Sequence, residues 1–145
     1  MLTQKSRYAI KALMVLAQKK ADTPYMRIVE ISEKAHIPKK FLEAILLDLR
    51  NKGYLGSRIG VNGGYYLTKK PDEIWLSDII RQTSGPIAIL PCVSLNYYHR
   101  CDDCPDEAAC GLRAVGIEVR NATLEVLNNR SIGDLVRIEK NKVAS

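Results

Sequence analysis

The sequence has 145 residues, of which 46% are hydrophobic, and it carries 22 lysines and arginines against 16 aspartates and glutamates. This length and apolar content suffice for one compact domain with an appended oligomerisation element, and they exclude a disordered chain. The longest apolar runs are far too short to cross a bilayer, and no secretion signal is apparent. We therefore expect a cytoplasmic protein with no membrane anchor.

The basic charge is concentrated in the first part of the chain. Residues 1–85 contain 15 lysines and arginines against 8 acidic residues, whereas residues 86–145 contain 7 against 8. A local positive field favours a polyanionic partner, because neutralised phosphates release their counterions. Basic surfaces also occur simply as solvated faces, so charge alone does not identify DNA as the partner.

Apolar spacing predicts three helices in the first half of the chain. The first begins near Thr3, and the second runs from about Met26 to Ala35. A short turn leads to Pro38 and to a third helix, which should bury Phe41, Leu42, Ile45, Leu46 and Leu49. Two helices joined by so short a turn are typical of a helix-turn-helix.

Two short apolar segments, residues 54–59 and 65–67, surround a glycine-rich turn and predict a β-hairpin, the wing. Another short helix is predicted from about Leu76 to Thr83, before the break at residues 84–86. The predicted fold is therefore mainly α with a small β-hairpin. We expect a winged helix-turn-helix DNA-binding domain over residues 1–85.

Residues 86–145 are predicted to contain a cysteine loop (92–110), a long dimerisation helix and a short C-terminal helix that Ser131 caps. Apolar residues spaced alternately by three and four predict that the long helix runs from about 106 to 129, about 36 Å. A second copy of the chain should pair along Leu112, Val115, Val119, Ala122 and Val126. A second stripe, formed by Ile117, Leu124 and Leu127, is free to pack on the chain's own first helix.

The predicted DNA-reading surface combines the third helix with the wing. A recognition helix reads base edges with its N-terminal residues, where lysines suit guanine or phosphate and a glutamate suits cytosine. The wing offers an arginine for a narrow minor groove, although a solvated hairpin with a surface arginine is the alternative. The predicted DNA-binding residues are Thr3, Lys5, Arg7, Lys39, Lys40, Glu43, Arg58, Gly63 and Gly64.

The four cysteines, Cys92, Cys101, Cys104 and Cys110, lie within 19 residues. Without an export signal, such a cluster favours a metal or redox site over a disulfide framework. Iron-sulfur clusters and structural zinc both take four thiolates. Zinc sites commonly pair two Cys-x-x-Cys units, so the single unit here favours a cluster, with zinc as the alternative. Cys110 is predicted in the first turn of the long helix, where the helix N-terminus favours a thiolate.

The chain resembles the Rrf2 family of bacterial winged-helix transcription regulators, which includes IscR, NsrR, RirA and CymR. The matching segments are residues 2–10, 60–67, 85–86, 91–92, 104–105, 110–113 and 131–135. The resemblance implies a homodimer that binds double-stranded DNA through the third helix and the wing. It also implies, as in many members, an iron-sulfur cluster on three loop cysteines, which correspond to Cys92, Cys104 and Cys110.

The loop departs from the family pattern around the fourth ligand. It is longer between Cys92 and Cys104 and contains an additional thiol, Cys101. Some members have a histidine three residues after the last cysteine, where this chain has Arg113, and others use an aspartate from the first helix, where it has Arg7. We therefore expect Cys101 to complete a two-iron or four-iron cluster, with His99 or a small molecule as the alternative.

Other functions compete with this one. A CymR-like regulator would bind DNA and respond to thiol oxidation or a partner protein without a cluster. A zinc-binding or cluster-carrying adaptor would contact protein, and it would lack salt-dependent DNA binding. We do not expect an enzyme, because His36 and His99 are the only histidines and no nucleophile, base and oxyanion donor can be assembled.

Overall fold

The structure is a computed structural model that describes residues 2–19 and 22–144. Its helices and strands follow in the order α1 (Gln4–Ala17), α2 (Ile28–Ala35), α3 (Lys39–Asn51), β1 (Leu55–Arg58), β2 (Gly64–Leu67), α4 (Leu76–Ser84), α5 (Gly111–Leu127) and α6 (Ile132–Ala144). β1 and β2 form an antiparallel hairpin. This order confirms the predicted fold class, mainly α with a winged helix-turn-helix. Within the described ranges, no helix is both long and apolar enough to cross a bilayer.

The turn between α2 and α3 is held by hydrogen bonds and by burial. α2 ends at Ala35, and its C-cap residue His36 has a left-handed backbone (φ 54°) that ends the helix and starts the turn. The Ile37 N–H donates to the Ser32 carbonyl at 3.1 Å, and the Ser32 hydroxyl donates to the Ile37 carbonyl at 2.6 Å. Ile37 is itself buried in the core. This turn therefore fixes the angle at which α3 leaves the domain.

The core lies where α1 packs against α2, α3, α4 and α6. α3 contributes a buried stripe of Leu42, Ile45, Leu46 and Leu49, spaced as expected for one helix face. The prediction that Phe41 joins this stripe was wrong, since its side chain is 55% exposed. Phe41 lies in the first turn of α3, at the edge of the buried stripe, where the rest of the domain does not cover its side chain.

The last helix completes the core of the N-terminal part. Ile132 is fully buried, and its N–H donates to the Ile74 carbonyl at 2.9 Å. A capping box begins α6: the Ser131 N–H donates to Asp134 Oδ2 at 2.9 Å, and the Asp134 N–H donates to Ser131 Oγ at 3.1 Å. α6 extends to Ala144 and is longer than the short helix that the sequence predicted. The core thus includes a helix from beyond residue 85.

α5 begins at Gly111, not near residue 106 as predicted, so its 17 residues span about 26 Å. The Asp106 carboxylate accepts the Ala108 N–H at 3.0 Å and holds the preceding residues in a turn. α5 packs on the turn Pro91–Val93 and on α4, with Leu124 buried. Leu124 and Leu127 of the second stripe pack with the core, and α6 packs directly against α1.

Candidate functional site

The N-terminal end of α3 is accessible to a partner. Lys39, Lys40 and Glu43 are exposed, and none forms an ion pair with another described residue. Leu47 follows on the same side of the helix and is 47% exposed. Two unpaired cations on a helix that the core fixes from behind form a surface suited to phosphates and base edges.

The three predicted contact residues at the start of α1 have different environments. Thr3 caps the helix, because its Oγ1 accepts the Ser6 N–H at 3.2 Å. Thr3 Oγ1 also lies 2.8 Å from the Ser84 hydroxyl at the end of α4. Lys5 is paired with a carboxylate of α3, whereas Arg7 is exposed. Of the three, only Arg7 presents a cation that forms no ion pair with another described residue.

Asp48 is an electrostatic centre that sequence reasoning missed. Its Oδ2 lies 3.2 Å from Lys5 Nζ and 2.9 Å from Lys52 Nζ, and Lys52 also donates to the Gln82 carbonyl at 2.6 Å. Burial raises the pKa of Asp48, but the hydrogen bonds from Lys52 and Lys5 outweigh it and hold that pKa below its usual range. Asp48 therefore links α1, α3 and α4 behind the exposed face. The sequence signals only the spacing of four between Asp48 and Lys52.

The glycines of the wing have a structural requirement. Tyr65 and Met26 exchange backbone hydrogen bonds of 2.8 and 3.0 Å, which attach the wing to the segment before α2. Gly64 has φ +148°, and a Cβ there would lie 2.5 Å from the Met26 carbonyl oxygen. A Cβ at Gly63 would overlap the Arg58 carbonyl. Glycine at both positions thus allows the hairpin to close, whatever contact the wing makes with DNA.

Arg58 is supported by an aromatic pair. Its guanidinium carbon lies 5.7 Å from the centroid of the Tyr25 ring, and Tyr25 meets Tyr66 edge-on with centroids 5.5 Å apart. At the wing tip Ile59 and Val61 are 99% and 81% exposed. The tip thus presents an oriented cation beside two apolar side chains. The partnership of Tyr25 with Arg58 has no signal in the sequence, because 33 residues separate them.

All four cysteines line one cavity of about 380 Å³ at the start of α5. We call this cavity the cysteine pocket; its other lining residues are Leu90, Asp103, Pro105, Asp106, Ala109, Leu112 and Arg113. Cys92 is buried, the other three cysteines are partly exposed, and all four thiols are free. His99 does not line the pocket, and its Nε2 lies 3.8 Å from the exposed Asp102 carboxylate. The structure therefore brings the four thiols together and leaves the histidine outside.

Cys110 is the N-cap of α5 and not a first-turn residue as predicted. Its Sγ accepts the Arg113 N–H at 3.4 Å, and its carbonyl accepts the Ala114 N–H at 3.2 Å. The sulfur therefore lies at the positive end of the helix dipole of α5. A group bound by Cys110 is consequently connected directly to α5.

The arrangement of the possible metal ligands bears on which kind of metal centre the loop can hold. Among the described residues, no three His, Cys, Asp or Glu side chains converge on a position for a single metal ion. Tetrahedral zinc needs such convergence, with Zn–S distances of about 2.3 Å, whereas a cluster spreads its thiolates over several irons. Burial and a hydrogen bond with Cys92 raise the pKa of the Cys101 thiol. The four thiols are therefore donors of the kind that an iron-sulfur cluster takes, while the described side chains do not form a convergent site for one zinc ion.

Arg113 is the cation among the residues that line the cysteine pocket. Its Nε is buried and has no hydrogen-bond partner among the described residues. By contrast, Arg100 of the same loop donates to the Cys104 carbonyl at 3.2 Å. Buried donors without a partner are rare, and each one needs an explanation. In the sequence Arg113 is visible only as a departure from the family pattern.

One face of α5 exposes the residues of the predicted seam. Leu112, Val115 and Val126 are 62%, 53% and 56% exposed. Val119 and Ala122 are also exposed between them. Apolar side chains that line up on one face, rather than being scattered, mark an interaction surface.

The chain matches known proteins over nearly its whole length. The family model described as an iron-dependent transcriptional regulator, Rrf2, matches residues 2–138. An rrf2-like HTH-type transcriptional regulator of Rhodobacter capsulatus is 45% identical over 94% of this chain and 92% of its own length. Protein rrf2 of Nitratidesulfovibrio vulgaris is 32% identical, over 94% and 87% of the two chains.

A solved structure agrees with these matches. CymR, the global cysteine regulator of Bacillus subtilis, superimposes with a TM-score of 0.76 at 30% identity, over 95% of this chain and 97% of that one. The matched region includes the winged helix, the cysteine loop and α5. The chain therefore belongs to the Rrf2 family of transcriptional regulators.

Proposed function

We propose that the protein is a homodimeric, DNA-binding regulator whose cysteine pocket holds an iron-sulfur cluster and reports its state through α5. The observation that carries the proposal is the position of the pocket: four free thiols surround one cavity at the start of the helix that exposes an apolar face. Cys110 belongs both to the pocket and to the N-cap of α5. Loss of the bound group then releases the loop and shifts the dimer helix.

Cys92, Cys104, Cys110 and Cys101 hold the cluster in this proposal. The cluster, when bound, supplies a centre that changes with iron supply, oxygen or nitric oxide. Cys101 is preferred to His99 as the fourth ligand because it lines the pocket with the other three cysteines, whereas His99 lies outside. The family model describes an iron-dependent transcriptional regulator, which agrees with an iron cofactor.

The proposed DNA surface joins the N-terminal end of α3 to the wing. Lys39, Lys40 and Glu43 enter the major groove, while Arg58 and the wing tip reach the adjacent minor groove. Two copies related by a two-fold axis along α5 place two such surfaces on one side of a palindromic site. The shift of α5 alters their spacing, which is how the state of the pocket reaches the DNA.

A second candidate is a regulator that binds no cluster and responds to thiol oxidation. The observation that favours it is that Cys92 and Cys101, both free thiols, line the same cavity. A zinc-dependent adaptor has less support, because the described thiols do not converge on one ion. The two regulators differ in whether iron and sulfide accompany the purified protein.

Anaerobic purification, with an absorbance spectrum and iron, sulfide and zinc analysis, tests the proposal. We expect visible charge-transfer bands with iron and sulfide present. Cys101→Ala should shorten the lifetime of the chromophore in air, and His99→Ala is the matched control because it changes the same loop outside the pocket. Binding to a duplex selected from random sequences should differ between loaded and cluster-free protein.

Two results would contradict this function, and a third would change only its ligand set. Tightly bound zinc, with neither iron nor sulfide after reconstitution, would remove the cluster. DNA binding that changes only with a Cys92–Cys101 disulfide would establish the second candidate instead. An unaltered chromophore in Cys101→Ala would eliminate that thiol as the fourth ligand and leave the cluster on three cysteines.

A further inference from the structure

Arg113 is the cation that lines the cysteine pocket. It lies in the first turn of α5, and its backbone N–H donates to Cys110 Sγ at 3.4 Å. Its stem is partly buried, and Nε is fully covered yet has no hydrogen-bond partner among the described residues.

Neighbouring carboxylates do not satisfy this cation. Asp103 and Asp106 also line the pocket, but neither forms an ion pair with Arg113, and Asp106 accepts the Ala108 N–H. The nearby Glu107 carboxylate accepts the Tyr98 hydroxyl. A partly buried side chain whose Nε–H has no hydrogen-bond partner among the described residues therefore lines the same pocket as the four cysteines.

We propose that Arg113 is the counter-cation of the group bound in the cysteine pocket. The inference rests on the proposed iron-sulfur cluster. Thiolates and sulfides give such a cluster a net negative charge, which is greater in the reduced than in the oxidised state. A fixed cation beside the cluster would favour its reduced over its oxidised state, with the electron supplied by the external reductant of a redox titration.

Potentiometric titration of the reconstituted protein tests the inference, with the spectrum of the cluster as the readout. Arg113→Met keeps most of the apolar stem and removes the charge and the donor. We expect it to lower the equilibrium constant for one-electron reduction at least tenfold, which corresponds to a fall of about 59 mV in midpoint potential. Arg113→Lys, which keeps the charge but loses Nε, should lie between parent and Arg113→Met. Arg130→Met, an exposed arginine beyond the other end of α5, is the matched control and should leave the potential unchanged.

The outcomes separate this inference from the proposed function. A parent protein that takes up neither iron nor sulfide would refute both. A loaded parent whose potential is equal to that of Arg113→Met would refute the role of Arg113 alone. If Arg113→Met takes up no cluster, retention by Arg113→Lys but not by Arg113→Gln supports the counter-cation, because only the charge distinguishes them. Loss in both variants would overturn it.

Discussion

The winged helix and the segment from residue 85 to the end of α5 differ in how much of their surface the chain covers by itself. In the winged helix, Leu13, Leu42 and Leu46 are completely buried, and α6 returns to cover α1. In the second region α5 buries Leu124 on one side and exposes its apolar seam on the other, and the loop surrounds a cavity. We infer that the chain itself covers the core of the winged helix, with α6 as the last element, whereas the second region is completed by a second chain and a bound group.

Val119→Glu should have the largest effect, because it acts where the chain is incomplete. A charge without a partner in a buried seam costs more than the roughly 2–7 kcal/mol that an unpaired polar group costs. We expect monomers or aggregates in sedimentation and a severe loss of operator affinity. Val143→Glu on α6, where the valine is 88% exposed, is the matched control and should remain dimeric. An unchanged dimer in Val119→Glu would instead show that this face of α5 is not the dimer interface.

Two leucine truncations sharpen the comparison within the monomeric Val119→Glu background. Leu13→Ala empties a completely buried site and should lower the free energy of unfolding by about 2–5 kcal/mol. Leu112→Ala removes a side chain that is 62% exposed and should change it by less than about 0.5 kcal/mol. Urea titrations measure both. Equal losses would show that α5 is already covered within one chain.

Lys40→Ala and Arg58→Ala test the surface that the winged helix presents after its core is complete. Each should weaken operator binding by about 1–3 kcal/mol without unfolding the domain, because both side chains are exposed. Lys140→Ala on α6 changes charge equally and serves as control at matched salt. Tyr25→Ala should reproduce part of the Arg58 effect, since the ring supports the guanidinium. If Lys40→Ala and Arg58→Ala bound the operator as tightly as the control, the proposed DNA-binding surface would be wrong.

Asp134→Asn should give the smallest effect, at the cap where α6 begins to complete the winged helix. The Ser131 backbone N–H, followed by Arg137, lowers the pKa of Asp134 from 3.8 to about 2. A lowered folded-state pKa means that the carboxylate stabilises the fold above about pH 4 and loses this contribution as the pH falls toward 2. The Tm of Asp134→Asn should therefore lie slightly below that of the parent at pH 7 and approach it at low pH. A constant difference across this range would exclude the charge as the cause.

Much of the fold is predictable from local patterns. Apolar spacing located α1, α3 and the hairpin, because a helix face or strand face repeats within a few residues. The beginning of α5 was misplaced because Ala108 fits the seam's period, whereas an Asx hydrogen bond from Asp106 and the cap at Cys110 decide where the helix starts. Phe41 was misplaced because apolar character does not show whether the stripe or its edge meets the core.

The sequence by itself determined the order of the elements, the basic character of residues 1–85 and the presence of four thiols in one loop, since these are properties of neighbouring residues. The tertiary structure alone decided that α6 covers α1, that Tyr25 supports Arg58, and that Nε of Arg113 is buried beside the thiols without a partner. Each of these depends on which distant segments meet and at what angle. Periodicity carries no information about that, because burial is settled by the shape of the surface on the other side.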